Sequence, residues 1–211
     1  MIINYVCSLG PICHSAQILK RNNLKSGSYP FDWIFSNYNN IIHCIKDDYK
    51  IFLDKSYYYN ISYKRCGHNY YKEILWWHHN PLKNNDNYEY YIRCVNRFKK
   101  LIEYNENKLF IMFFKNIDII EEKIINELTN FNTIFSKYTK NYILLIIFHI
   151  PNKLENHNSF TYVDNIHFME LHTISKSNGL SFENERDNNY LDKILNDTYT
   201  FDLKNSEKDE F

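Results

Sequence analysis

The residue with the clearest chemical potential is Cys13, which follows an apolar strand-like run and a Gly-Pro turn. Residues 1–9 (MIINYVCSL) predict a strand, Gly10 and Pro11 end it, and residues 13–22 predict a short helix. Cys13 is therefore expected at a helix N-terminus, where free N–H groups and the helix dipole stabilise a thiolate and lower its pKa. The alternative role is that of a small buried hydrophobic residue, as for most free cysteines.

A thiolate nucleophile needs an imidazole to take its proton and a third group to orient that imidazole. Among nine histidines, His78 and His79 end the aromatic stretch EILWW just before a turn. Neighbours on a strand point to opposite faces, so only one of the pair is expected to face Cys13. An exposed pair at a strand end is the alternative. His14 is discounted, because adjacent residues at a helix start diverge.

Other chemistries have weaker sequence support. Cys66 and His68, followed by His78 and His79, supply the ligand types of a zinc site, but their spacing matches no familiar zinc pattern. A metal-supported hydrolase or binding module remains an alternative, while no metal is the expectation. The chain has only 4 glycines and no Gly-rich phosphate loop, so no nucleotide cofactor is expected.

The composition is sufficient for a hydrophobic core and shows no strong excess of either charge. Hydrophobic residues make up 44% of the 211, and Lys plus Arg equals Asp plus Glu at 25 each, so neither disorder nor nucleic-acid binding is predicted. Five cysteines without a CxxC pair favour a reducing compartment. The longest apolar run, residues 142–150, is too short to span a bilayer. We expect a cytoplasmic protein without a membrane partner, or one of the host cytoplasm or virion if the source is a virus.

Periodicity predicts a mixed α and β chain whose later strands form a central sheet. One domain over residues 1–203 and a polar tail at 204–211 are expected. The helix at 88–104 is predicted to be capped by Asp86 or Asn87. The other predicted elements are a helix at 38–46, a short strand at 49–54, one or two strands within 56–80, a strand at 108–114, a helix at 117–131, and strands at 141–148 and 165–172.

Several stretches of the first half of the chain together resemble a family of papain-like cysteine peptidases found in bacteria and large DNA viruses. Ser8, Leu9, Gly10 and Cys13 match its first motif, and Pro30 to Trp33 (PFDW) match its second. Arg93 and Arg97 match its arginine-containing helix ahead of an apolar strand. The resemblance covers about residues 4–115. It implies an α+β, papain-like fold in which an N-terminal nucleophile helix packs on a central β-sheet.

The resemblance also assigns catalytic roles. It makes Cys13 the nucleophile and aligns His79 with the family histidine, with Asn80 in place of the acid that usually follows. Asp32 is the preferred orienting group because it belongs to a matched motif, and Asn80 is an alternative orienter. Asp32 has a structural alternative as well, in which its carboxylate binds N–H groups of its own loop beneath Trp33.

The implied activity is that of a cysteine hydrolase, a peptidase or amidase, that acts through a Cys–His couple and a thioester. Backbone N–H groups of residues 10–13 are expected to form part of an oxyanion hole. The expected partner is a protein, a peptide or another amide or thioester substrate. The alternatives are a thioester-based acyltransferase on the same scaffold and a non-catalytic glycan- or protein-binding module.

Overall fold

The computed structural model describes residues 1–204. Its strands are Ile2–Ile3 (β1), Tyr5–Ser8 (β2), Ile34–Phe35 (β3), Tyr58–Ser62 (β4), Arg65–His68 (β5), Leu75–Trp76 (β6), Lys108–Phe114 (β7), Tyr142–Ile150 (β8), His157–Val163 (β9), Ile166–His172 (β10) and Thr200–Phe201 (β11). Its α-helices are Cys13–Arg21 (α1), Tyr38–Lys46 (α2), Lys50–Leu53 (α3), Asn85–Glu103 (α4), Glu122–Phe135 (α5) and Glu185–Thr198 (α6).

The largest sheet has five strands in the order β2-β7-β8-β10-β9. Strands β2, β7, β8 and β10 are parallel, and β9 pairs antiparallel with β10 at one edge. Parallel strands are normally covered on both faces, which explains their continuous apolar sequences. Their carboxyl ends lie at one edge of the sheet, where α/β proteins usually bind ligands.

Alternate residues of the central strands face two hydrophobic clusters, one on each side of the sheet. Phe110 and Leu144 belong to the cluster that includes residues of α2, α4 and α5. Ile111 and Leu145 belong to the other cluster, together with residues of α1 and α6. Helix α1 contacts β2 and β7. The mixed α and β fold, with the N-terminal helix packed on the central sheet, is therefore confirmed.

A second sheet of four short antiparallel strands, β3-β6-β5-β4, lies within the segment between β2 and β7. Its inner side chains, among them the fully buried Trp76 and Cys66, join the cluster shared with α4. Strands β1 and β11 form a separate parallel pair. Within residues 1–204, no helix is long and apolar enough to cross a membrane.

Several predicted elements differ from the structure. The strand predicted at 49–54 is wrong, because the carboxylate of Asp47 accepts from the N–H groups of Tyr49 and Ile51 and begins helix α3 instead. Helix α4 begins earlier than expected and is capped by Asn84, whose side chain accepts from the Asn87 N–H group. Strand β9 and helix α6 were not predicted. The predicted tail lies outside the described residues, apart from its first residue.

Candidate functional site

The turn before Cys13 is fixed to the central sheet. The Leu9 N–H group donates to Ile111 O at 2.8 Å, and the Phe113 N–H group donates to Gly10 O at 3.0 Å. Gly10 has a φ of 78°, and a Cβ added there would lie 2.7 Å from Ser36 Oγ. Any other residue would be strained and would collide with this side chain, so glycine is required. The chain therefore enters α1 at a defined point on the carboxyl edge of the sheet.

Cys13 is the first residue of α1, as predicted, and its side chain is buried. Burial raises the pKa of the Cys13 thiol to about 11, its own backbone N–H group opposes that rise, and the charge of Asp32 adds to it. The expected lowering of the pKa at a helix N-terminus is therefore wrong for this structure, because the loss of hydration outweighs the helix. Cys13 is a neutral thiol at neutral pH in the free protein.

A cavity of about 860 Å³ lies beside the same helix. Gln17, one turn after Cys13 on the same helical face, is part of its wall. Trp33, His78 and His79 line it as well. The remaining lining residues are mostly polar or small: Lys20, Asn23, Lys25, Ser26, Gly27, Ser28 and Leu180. Cys13 itself is buried and does not line the cavity, so Gln17 is the residue that links its helical face to the cavity wall.

The two candidate histidines follow β6 and lie in a bend outside any strand. The argument from strand alternation therefore does not separate them, and both line the cavity. The ring of His78 meets the edge of Trp33 at a centroid distance of 5.9 Å, and the ring of His79 stacks on Tyr90 at 4.1 Å. Partial burial lowers the pKa of both imidazoles, which favours the neutral form that can accept a proton.

Cys13 and His79 are not joined by any hydrogen bond described for residues 1–204. Tyr90 and Tyr91 are related to the two residues in different ways. Burial raises the pKa of Tyr91 most, and the charge of the Cys13 thiolate is among the smaller influences in the same direction. The ring of Tyr91 lies 5.1 Å from that of Tyr90, on which His79 stacks. His79 thus contacts this tyrosine pair through its ring, whereas Cys13 is related to it only by a minor charge effect.

Asp32 is fully buried and holds its own loop together. Its carboxylate forms an ion pair with Lys25 and accepts from the Tyr29 N–H group at 2.8 Å. Lys25 in turn lies over the Trp33 ring, 5.7 Å from its centroid. These contacts correspond to the structural alternative for Asp32, and none of its described hydrogen bonds reaches His79.

The side chain of Asn80 also forms no described hydrogen bond to His79, because its amide bonds elsewhere. It donates to Asn60 Oδ1 and Tyr63 O, and its own oxygen accepts from the Leu82 N–H group. Asn80 therefore fixes the turn that carries the histidines. Within residues 1–204, the Asn87 side chain is the one amide or carboxylate group that bonds the His79 ring.

The other matched motifs lie around the cavity. The aromatic motif packs beside the turn that precedes Cys13, since Phe31 O would be 3.7 Å from a Cβ at Gly10, and Phe31 itself is buried in the core. Arg97 of α4 donates to the carbonyl oxygen of Ser28, a residue of the cavity wall. Arg93 of the same helix is exposed. Of the two arginines, Arg97 is therefore the one that supports the site.

The zinc alternative lacks support in the structure. His68 uses both ring nitrogens, since Nε2 bonds Ile51 O and Nδ1 accepts from the N–H groups of Tyr70 and Tyr71. Within residues 1–204, no group of three or more His, Cys, Asp or Glu side chains is arranged to hold a metal ion.

Sequence reasoning missed several residues of the cavity wall. Gln17 and Lys20 lie four and seven residues after Cys13, so helical spacing alone could have placed them on the face of Cys13. Lys25 and Leu180 have no such signal, because a loop and a distant segment bring them to the cavity.

The site therefore combines a cysteine at the start of a helix with a cavity that holds two histidines, on a mixed α and β fold. Residues 4–158 match the family described as "Putative papain-like cysteine peptidase (DUF1796)", and the chain belongs to this family. The resemblance inferred from the motifs is thereby confirmed. No curated protein and no solved structure matches the chain.

Proposed function

We propose that the protein is a cysteine hydrolase whose nucleophile is Cys13 and whose substrate occupies the cavity beside α1. The observation that carries this proposal is the course of α1, which begins at Cys13 and forms the cavity wall one turn later at Gln17. His78 and His79 line the same cavity. The proposal thus draws a thiol, a proton acceptor and room for a substrate from adjoining parts of the molecule.

In the proposed reaction, His79 takes the proton of the Cys13 thiol, and the thiolate attacks an amide or thioester carbonyl. The bond to the leaving group breaks, the leaving group receives the proton from the imidazolium, and a thioester remains on Cys13. Water then cleaves the thioester and releases a carboxylic acid. An amine or hydroxyl acceptor in place of water would make the same site an acyltransferase.

With a pKa of about 11, the Cys13 thiol of the free protein keeps its proton near neutral pH, so in the proposed reaction it gives up that proton only when substrate is present. A neutral thiol and a neutral imidazole are compatible with general-base catalysis, in which the proton moves during attack. Catalytic hydrogen bonds are often long in a free enzyme and form only with substrate. His79 is held by stacking on Tyr90 and by one side-chain bond, so its approach to Cys13 breaks few contacts.

Labelling with thiol-reactive acyl probes tests the proposal. Incubation with acyloxymethyl ketone peptides, followed by intact mass measurement and peptide mapping, should give one adduct, on Cys13. Cys13→Ser should abolish it, whereas Cys66→Ser, a matched change of another buried thiol, should leave it. His79→Ala should slow the adduct by about a hundredfold or more, as loss of a general base does, and His78→Ala by much less.

A second candidate function, a non-catalytic binding module, is favoured by the low exposure of Cys13, 6%. The cavity also has the aromatic, amide and hydroxyl groups that bind glycans, in Trp33, Gln17 and Ser28. Under this alternative no probe modifies Cys13, and Cys13→Ser retains any ligand affinity of the wild-type protein. Under the hydrolase proposal, Cys13→Ser loses the adduct and the release of product.

A further inference from the structure

The charged groups that line the cavity are all of one sign. Lys20 and Lys25 belong to the wall, and among the described lining residues there is no aspartate or glutamate. The chain as a whole has as many acidic as basic residues, 25 of each. A local excess of positive charge in a concave site attracts anions.

Lys25 is built into the floor of the cavity. Its side chain is only 12% exposed, and its ammonium group donates to the Asp32 carboxylate and, at 2.6 Å, to Gly27 O. An ammonium group has three N–H donors, and two have described partners. The third has no described hydrogen-bond partner, and the ammonium group lies 5.7 Å from the centroid of the Trp33 ring, which also lines the cavity.

Lys20 lies at the exposed rim. It is seven residues after Cys13 on the same face of α1, about 10 Å along the helix axis. Gln17 lies between them. An acyl group that extends from Cys13 along α1 would therefore pass Gln17 and reach Lys20.

We propose that the cavity selects substrates whose acyl portion carries a carboxylate, which Lys25 and Lys20 bind while Trp33 covers its aliphatic stem. This inference rests on the proposed function and names the substrate class of that site. Asp32 offsets the charge of Lys25, so Lys20 supplies the net positive charge. Lys20 is thus the residue that determines specificity for charge, and Lys25 the one that fixes the position of the carboxylate.

Three acyloxymethyl ketone probes that differ in one side chain, Glu, Gln or Lys, test this selection. The measurement is the rate of adduct formation on Cys13. The Glu probe should react about fivefold faster than the Gln probe, as expected for one partly exposed charge pair, and the Lys probe should be slowest. The preference should weaken as salt is raised.

Two charge reversals complete the test. Lys20→Glu should abolish or invert the preference for the Glu probe. Lys140→Glu, which changes the net charge equally at an exposed position before β8, should leave it unchanged. Substitution of Lys25 is avoided, because it would leave the Asp32 carboxylate buried without its partner.

The outcomes separate this inference from the proposed function. Equal rates for the three probes overturn the charge selection and leave the hydrolase proposal intact. If no probe modifies Cys13, the hydrolase proposal fails, and the probes' warhead-free peptide amides are titrated into the protein by calorimetry. Tighter binding of the Glu peptide that is lost in Lys20→Glu supports the anionic selectivity, and equal binding overturns it.

Discussion

Two of the histidine pairs in the molecule differ in almost every physical respect. His78 and His79 lie in a bend at the cavity and pack mainly against one aromatic ring each, Trp33 and Tyr90. His14 and His149, in contrast, are both fully buried near the carboxyl edge of the central sheet. This second pair belongs to a network of polar side chains that includes Asn116, Thr173, Ser175, Ser177 and Asp187.

The hydrogen bonds of the buried pair define its protonation. Thr173 Oγ1 donates to Ser175 O, so it accepts from His149 Nε2 at 2.7 Å, while His149 Nδ1 accepts from the Asn116 N–H group. Burial lowers the pKa of His149 to about 4 and that of His14 to about 3. The buried pair is therefore neutral and structural, whereas the cavity pair has weaker constraints and is free to exchange protons.

The largest expected effect comes from removal of a buried ring. His149→Ala should lower the free energy of unfolding by about 3–5 kcal/mol, because it opens a cavity beside Phe113 and Phe182 and leaves Thr173 and the Asn116 N–H group without their partner. Urea denaturation measures the change. His78→Ala, at an exposed position, should stay within about 0.5 kcal/mol of wild type. Equal losses in the two variants would erase the distinction between the pairs.

The next effect is a loss of stability in acid. The pKa values of about 3 for His14 and about 4 for His149 lie below the value of about 6.5 for an unfolded histidine. Stability from these groups is therefore complete above about pH 6.5 and falls as the pH decreases toward the folded values. The slope is about 1.4 kcal/mol per pH unit for each histidine, or about 2 kcal/mol each by about pH 5.

His14→Gln isolates one of the two contributions. The free energy of unfolding of this variant is measured in urea from about pH 7 to about pH 5. Its slope with pH should be smaller than that of wild type by the contribution of one bound proton, about 1.4 kcal/mol per pH unit. Arg21, His149 and Lys115, whose charges also oppose protonation of His14, are unchanged in the variant. A slope identical to that of wild type would mean that His14 is protonated in the folded protein.

The fold was predictable where the sequence pattern is strong. The apolar strands at the centre and the amphipathic helices α1, α2 and α4 have periodicities that match their environments. Strand β9 is mostly exposed at a sheet edge and has no comparable pattern. Segment 49–54 was mistaken for a strand because its helical turn depends on a side-chain cap from Asp47, a local bond that outweighs the β-propensity of Ile51 and Phe52.

The candidate site was predictable only in part. Motif spacing placed Cys13 at the start of α1, while its role as the nucleophile stays a proposal. The pKa of that thiol depends on burial by segments distant in sequence, which no local pattern encodes. The bond between Asp32 and Lys25 is also a product of loop geometry, and it takes the carboxylate that the motif offered as a partner for His79.

The smallest expected effect is that of His79→Ala on the reactivity of the Cys13 thiol in the free protein. Because burial sets the pKa of Cys13 at about 11, its alkylation by iodoacetamide should rise about tenfold per pH unit between about pH 7 and about pH 9. His79→Ala should change these rates by less than about twofold, since no described hydrogen bond joins the two side chains in residues 1–204. Peptide mapping by mass spectrometry measures the rates at Cys13 alone.

The effect of His79→Ala on alkylation by iodoacetamide can be compared with its effect on modification by the acyl probes. This comparison tests how the cavity pair differs from the buried pair. If His79→Ala slows the modification of Cys13 by the acyl probes but not by iodoacetamide, His79 acts only once an acyl group is bound, as a neutral base does. If His79→Ala instead slows alkylation tenfold near neutral pH, a thiolate–imidazolium couple already exists in the free protein. The cavity pair would then be as firmly coupled to its surroundings as the buried pair, and the distinction between them would fail.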